Sequence, residues 1–345
     1  MSKAKVAAVV ASNRADSLQE FCKAWSPPPW DETVIVEDGP SRSFRIEFGQ
    51  PHKVHHLSWR EMADDPTVAD PAIFSRHDSG IKVYGIWVAL RLEVSVVILL
   101  DDDCFPCAQL ESFVEGHLAA LSPRPRWLPI DDFPSRGLPY FDFGEMDGAV
   151  ANMGLWEGVA DYDAPQSLAL QRSGTLNEFH SPRSGNRLIH PEHYWPFCGM
   201  NVAFRREIAP LMYMPKMGEG APYRRFDDIW CGVILQRCCR HLAYPLSAGD
   251  PHIRHARRSD PLVNLEKEAP GIRANELFWK IIEEAPLDGS TKSPLECAEA
   301  IGWHLTKNTQ DRTILERNPT LKEYLAKEGE RILAWCRMFR QIGWT

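Results

Sequence analysis

Apolar and polar positions fall into blocks along the first hundred residues. Lys5 to Ala11 is almost wholly apolar and has the length of one buried strand. Asn13 and Asp16 stand where they can cap a helix running to about Trp25, and Pro27-Pro28-Pro29 ends it. Thr33 to Glu37 is a second strand, closed by the turn Asp38-Gly39-Pro40, and Val54 to Leu57 is a short third. Ser75 to Leu92 reads as a helix, with Ile81, Tyr84, Ile86, Val88, Ala89 and Leu92 as its apolar positions. Val94 to Leu100 is rich in β-branched residues and free of Gly and Pro, a further buried strand. The order predicts an α/β fold with a mainly parallel sheet, whose ligands sit beyond the carboxyl ends of the strands.

The second half is less regular. Residues 123–196 are rich in Pro, Gly, Asp and aromatics, so ordered loops and short elements are expected. Phe197 to Phe204 resembles a strand and Arg225 to Arg240 a helix. Segments 274–284, 295–306 and 319–341 are helical in pattern, broken by Pro286, Gly289, Pro294 and Pro319. We therefore divide the chain into a sheet-containing domain, 1–284, and a helical extension, 285–345.

The apolar run 94–100 climbs into three carboxylates, Asp101, Asp102 and Asp103. Three desolvated acids repel one another, and a hard divalent cation such as Mg²⁺ or Mn²⁺ offsets that repulsion. Strand alternation puts Asp101 and Asp103 on one face and Asp102 on the other. A solvated acidic turn is the competing reading, and the triplet alone does not decide between them. Asp38 sits in an Asp-Gly turn after a strand, where a carboxylate can accept a base's ring N–H or simply shape the turn. Asp227-Asp228 opens a helix; one is expected as its N-cap, the other as a base or sugar contact. His252 and His255 lie in a segment that Pro251 and Ile253 favour as extended, so they face opposite ways and one can complete a metal site. Arg257 and Arg258 follow and can neutralise phosphate.

Composition narrows the classes. Hydrophobic residues make up 44% of the 345, enough for a proper core. A net charge of −8 argues against a broad nucleic-acid surface. No apolar run is long enough to span a membrane, and Met1 to Val10 is too short for a signal peptide. Nine cysteines, an odd number in a chain this size, do not suggest a disulfide framework, so a reducing, cytoplasmic compartment is expected.

Seven short stretches, in the same order along the chain, resemble the reversibly glycosylated polypeptides, a group that includes the UDP-arabinopyranose mutases (glycosyltransferase family 75). They are Val34 to Gly39; Asp78-Ser79-Gly80 with Tyr84-Gly85; Asp101 to Phe105; Gly154-Leu155-Trp156; Asp161 to Pro165; Cys198 to Asn201 with Ala203-Phe204; and Arg225 to Trp230. His255, Asp260-Pro261, Val263-Asn264-Leu265 and Lys267-Glu268 extend the likeness to about residue 280. The resemblance implies a GT-A-like nucleotide-diphosphosugar fold, a UDP-sugar substrate and a bound Mn²⁺ or Mg²⁺. It implies Asp38 near the uracil and Asp101, Asp103 and His255 at the metal. Asp102, Lys82 and Arg257 are then expected near the diphosphate, and Asp227 and Asp228 at the sugar as catalytic groups. A glycan or protein acceptor and a homo-oligomer are further expectations. Plant members carry their self-glycosylated arginine before Gly-Leu-Trp; Gly144 and then Glu145 stand at that place here, so plant-type self-glycosylation is not expected. The departure favours a second reading, a non-catalytic nucleotide-sugar-binding subunit of a glycan-synthesis complex.

Overall fold

A nine-stranded sheet forms the centre of the molecule, with strand order β3-β2-β1-β4-β10-β8-β11-β5 and β9 paired beside β11. The strands are β1 Val6–Ser12, β2 Glu32–Glu37, β3 Lys53–Leu57, β4 Val96–Asp101, β5 Cys104–Pro106, β8 Ala151–Gly158, β9 Arg187–Leu188, β10 Asn201–Arg205 and β11 Leu246–His255. A separate ribbon pairs β6 Arg124–Pro125 with β7 Glu145–Met146. The helices are α1 Ala15–Ala24, α2 Trp59–Asp64, α3 Lys82–Arg91, α4 Leu110–Leu121, α5 Ala164–Ser173, α6 Asp227–His241, α7 Pro261–Glu283, α8 Pro294–Asn308 and α9 Pro319–Gln341. The computed structural model describes residues 4–107, 109–126, 137, 144–173, 185–256, 260–308, 315 and 318–344. Strands β1, β2, β3, β4, β8 and β11 run one way and β5, β9 and β10 the other, so the sheet is mainly parallel, as a GT-A-like fold requires.

Central position explains the unbroken apolar runs. Val9, Val34, Ile35, Val97, Ile98 and Leu99 are fully buried, since helices or loops cover both faces of these parallel strands. Helix α3 lies unusually close to the sheet because of Gly85. A β-carbon there would stand 2.5 Å from Val9 Cγ1 and 3.0 Å from Val36 Cγ2. Lys82, one turn earlier on the same face, is thereby pressed against the carboxyl end of β4.

Helix boundaries depart from the sequence reading for local reasons. Helix α3 begins at Lys82 rather than Ser75, after a short 3-10 turn at Ser79–Ile81. His77 at φ 63° breaks the backbone, and Asp78 Oδ2 takes the Ser75 hydroxyl and the Met217 N–H. Neither Asn13 nor Asp16 caps α1; Arg14 holds the cap position without a side-chain bond. Phe226, not an aspartate, precedes α6. Helix α7 starts at an Asp260 cap, well before 274, and carries Pro270 inside it. Gly271 next to that proline admits the Phe226 ring, 2.5 Å from where a β-carbon would stand.

The C-terminal helices share the core. Trp335 of α9 packs its ring against Trp87, Phe74 and Phe339 and donates its N–H to Pro210 O at 3.1 Å.

A buried polar network bridges α4, β8, β10 and β11. The ladder of β11 shifts register between Gly249 and Ile253, which strands the carbonyls of Asp250 and Pro251. Asn152 donates to Asp250 O at 2.8 Å and Asn201 to Pro251 O at 2.9 Å. His117 joins the two, receiving from Asn152 at 3.0 Å and lying 3.1 Å from Asn201 Oδ1. Burial pushes the His117 imidazole down to about 3, so it stays neutral in the folded protein. In the unfolded chain it protonates near 6.5, so stability is complete above that pH and is lost as pH falls toward 3. Between pH 7 and 5 the loss from this group is about 2 kcal/mol. In urea titrations at both pH values, wild type is expected to lose about 2 kcal/mol more stability from pH 7 to 5 than His117→Gln does.

Candidate active site at the carboxyl edge of the sheet

The acidic triplet is the turn between β4 and β5. Strand β5 runs back antiparallel to β11 with Cys104 opposite His255, and this register brings the histidine to the triplet. Asp101, still in the strand, accepts the Lys82 ammonium; Lys82, 1% exposed, also donates to Gly199 O at 2.9 Å. The fixed carboxylate raises the lysine pKa against the burial that would lower it. Asp102 turns inward, accepting the Ser12 hydroxyl at 2.5 Å and the Arg14 guanidinium. Arg14 reaches Asp103 as well, at 3.3 Å. The strand therefore ends two residues sooner than the alternation argument needs: the Arg14 guanidinium joins Asp102 and Asp103, while Lys82 takes Asp101.

His255 is aimed from behind. Its Nδ1 lies 2.8 Å from Val159 O, and a carbonyl only accepts, so Nδ1 carries the proton. Nε2 then presents its lone pair toward Asp103 Oδ1, 3.9 Å away. Burial, then Asp101 and Asp102, raises the Asp103 pKa, and Arg14 works against that rise. Among the described residues no three His, Cys, Asp or Glu side chains already stand together as an ion's ligands. The donor set nonetheless suits a hard divalent ion: two ligands of one such ion, each at about 2.1 Å, lie roughly 3–4.2 Å apart. A backbone carbonyl holding the far ring nitrogen is the usual orienting partner of a ligand histidine.

A second group of acids faces the triplet across the Gly199 peptide. Asp228 accepts the Gly199 N–H at 2.8 Å, and Gly199 O accepts Lys82. Asp227, 2% exposed, accepts the Ser79 hydroxyl. Burial raises the pKa of both aspartates, and each is raised further by a neighbouring acid: Asp78 for Asp227, Asp227 for Asp228. Burial likewise lifts Asp78 to about 6. Cys198 donates its thiol to Asp161 Oδ2 at 2.6 Å, beside Asp228.

At the other end Asp38 accepts the Trp59 indole N–H at 2.8 Å, and burial raises its pKa. Arg76 stacks on the Trp59 ring at 4.8 Å. His252 points away from His255, between Glu157 at 3.5 Å and Asp250 at 3.4 Å, as an extended segment dictates. Arg257 and Arg258 lie outside the described residues. Gly144 and Glu145 fall at the β6–β7 ribbon, where Glu145 is exposed. Sequence reasoning missed Ser12, Arg14 and Asp161. Ser12 ends β1, and Arg14 and Asp161 follow the carboxyl ends of β1 and β8 as Asp38 follows β2; that position was the available signal.

The sequence model of the reversibly glycosylated polypeptides matches residues 127–343. The chain belongs to this family. Relatives are similar over 94% of the chain. A probable UDP-arabinopyranose mutase 2 of Solanum tuberosum is 28% identical, with 88% of its own length covered. UDP-arabinopyranose mutase 1 of Oryza sativa subsp. japonica is also 28% identical, again over 88% of its length. UDP-arabinopyranose mutase 2 of Arabidopsis thaliana is 27% identical over 89% of its length. The family match runs to residue 343, so it takes in α8 and α9, beyond the residue 280 to which the short stretches extend.

Proposed function

We propose that this protein is a metal-dependent enzyme acting on a UDP-sugar, of the UDP-arabinopyranose mutase kind, at the carboxyl edge of the sheet. The observation that carries the reading is the facing of Asp103 and His255 Nε2 across 3.9 Å beside Asp101, in a family whose similar members bear the mutase name. Asp101, Asp103 and His255 would hold Mn²⁺ or Mg²⁺, which supplies positive charge to a leaving diphosphate. Lys82 holds Asp101 and the Gly199 peptide in place between the two halves of the site. Asp38 and Trp59 form the end suited to a base, and Arg14 fixes Asp102 and Asp103.

Asp227 and Asp228 suit the sugar chemistry. In a ring interconversion the anomeric carbon–oxygen bond to the diphosphate breaks, another hydroxyl oxygen bonds to the anomeric carbon as the old ring carbon–oxygen bond breaks, and the diphosphate returns. One oxygen loses a proton and another gains one. Two adjacent carboxyls with raised pKa values can keep one proton between them and serve both needs. Helices long and apolar enough to cross a membrane are absent among the described residues. Seven of the nine cysteines are buried free thiols, which supports a reducing, cytoplasmic setting.

Incubation with UDP-arabinopyranose and Mn²⁺, followed by chromatography of the nucleotide sugars, tests the reading. A UDP-arabinofuranose product is expected. Free UDP formed only when an acceptor is added would replace mutase action by transfer. The exposed Gly144-Glu145 ribbon favours the second reading, a nucleotide-sugar-binding subunit; UDP binding without turnover of any UDP-sugar would establish it.

A further inference from the structure

Arg225 stands before α6 with φ at 64°, a left-handed conformation that favours glycine. The chain nevertheless carries its longest cationic side chain there, and holds it firmly. Arg225 Nε donates to Glu268 Oε1 at 2.8 Å. Glu268 is 2% exposed, and its other oxygen accepts the Ala164 N–H at 2.6 Å. The guanidinium plane is thus fixed along one edge, from α7 and the start of α5 together. Nη1 and Nη2 have no protein partner among the described residues, although the side chain is only 36% exposed. Asp161 and Asp228 lie within its electrostatic reach without bonding it. Asp228 in turn reaches the Gly199 peptide and, across it, Lys82 and Asp101. The free fork therefore neighbours Asp228, the member of the acidic pair that bonds the Gly199 peptide.

We propose that Arg225 is a substrate-contacting residue, whose Nη edge takes oxygens of the sugar-side phosphate of a nucleoside diphosphate sugar. This rests on the reading given above. A planar fork with four N–H donors left over matches a phosphate's oxygens in a way a lone ammonium does not. Glu268 presets the plane, so little rotamer freedom is lost when phosphate binds. A nucleoside monophosphate lacks the phosphate in question, so the contribution of Arg225 is confined to diphosphates.

Calorimetric titration of UDP and of UMP, with Mn²⁺ present, into wild type, Arg225→Gly and Arg225→Lys tests this. Glycine suits the left-handed backbone, so that variant is expected to fold; lysine keeps a charge for Glu268 and serves if glycine does not. Both variants are expected to bind UDP at least tenfold more weakly than wild type and UMP within twofold of it. Wild-type affinity for UDP in either folded variant would overturn the proposal while leaving the UDP-sugar reading intact. The same holds for equal losses toward UMP and UDP. A wild type that binds neither nucleotide would overturn both.

Discussion

Asp103→Ala is expected to lower metal-dependent turnover of a UDP-sugar by about a thousandfold, close to 4 kcal/mol in the barrier. The carboxylate stands against His255 Nε2 and is the triplet member least satisfied by protein partners, with only Arg14 at 3.3 Å. Its raised pKa says that the fold gains little from its charge. Alanine at this position should therefore leave the melting temperature unchanged or slightly higher while abolishing the response to Mn²⁺. Asp102→Ala is expected to behave differently. That carboxylate is 2% exposed and holds Ser12 and Arg14, so its loss strands the buried Ser12 hydroxyl, frees the Arg14 guanidinium and costs stability together with activity. Steady-state assays with thermal denaturation of both variants separate the two roles. Full activity in Asp103→Ala would remove the triplet from the metal site.

Gly154→Ala is expected to destabilise the protein by about 3 kcal/mol or more, from a single added methyl group. The β-carbon would stand 2.2 Å from Asn201 Nδ2 and 2.3 Å from Pro251 O. It lands on the hydrogen bond by which Asn201 satisfies the stranded carbonyl of β11. The side chain cannot turn away without losing that bond or its bond to Leu155 O. Backbone movement would disturb His117 and Asn152 in the same network. Denaturant titration measures the cost, and a loss below 1 kcal/mol would show that the network yields easily. Gly154 belongs to the Gly-Leu-Trp stretch that helps mark the family, and this packing supplies a physical reason for glycine there.

The parts of the fold legible in the sequence were those set by one element at a time. The runs Lys5 to Ala11 and Val94 to Leu100 read as buried strands because parallel central strands lack a polar face. Their carboxyl ends then located Asp38 and the triplet by rule. Helix α7 was hidden by Pro270 and Gly271, which look like breakers and instead let Phe226 pack against the helix. The placement of Asp227 was misjudged for a similar reason. An Asp at a helix start suggests a cap, but its carboxylate goes to Ser79, far away in sequence. The network of His117, Asn152 and Asn201 left no signal at all. Its members come from three elements, and only the register shift of β11 creates the carbonyls they serve. The same limit applies to Lys82: its position in α3 was legible, but its burial between Asp101 and Gly199 follows from the close packing at Gly85.

Electron paramagnetic resonance of free Mn²⁺, titrated with protein in the presence of UDP, tests the central claim most directly. The account predicts that the free-ion signal falls until one ion is bound per chain, that UDP strengthens this binding, and that His255→Ala or Asp103→Ala restores the free signal. An unchanged Mn²⁺ signal in the wild-type protein with UDP, or equal binding by both variants, would contradict it.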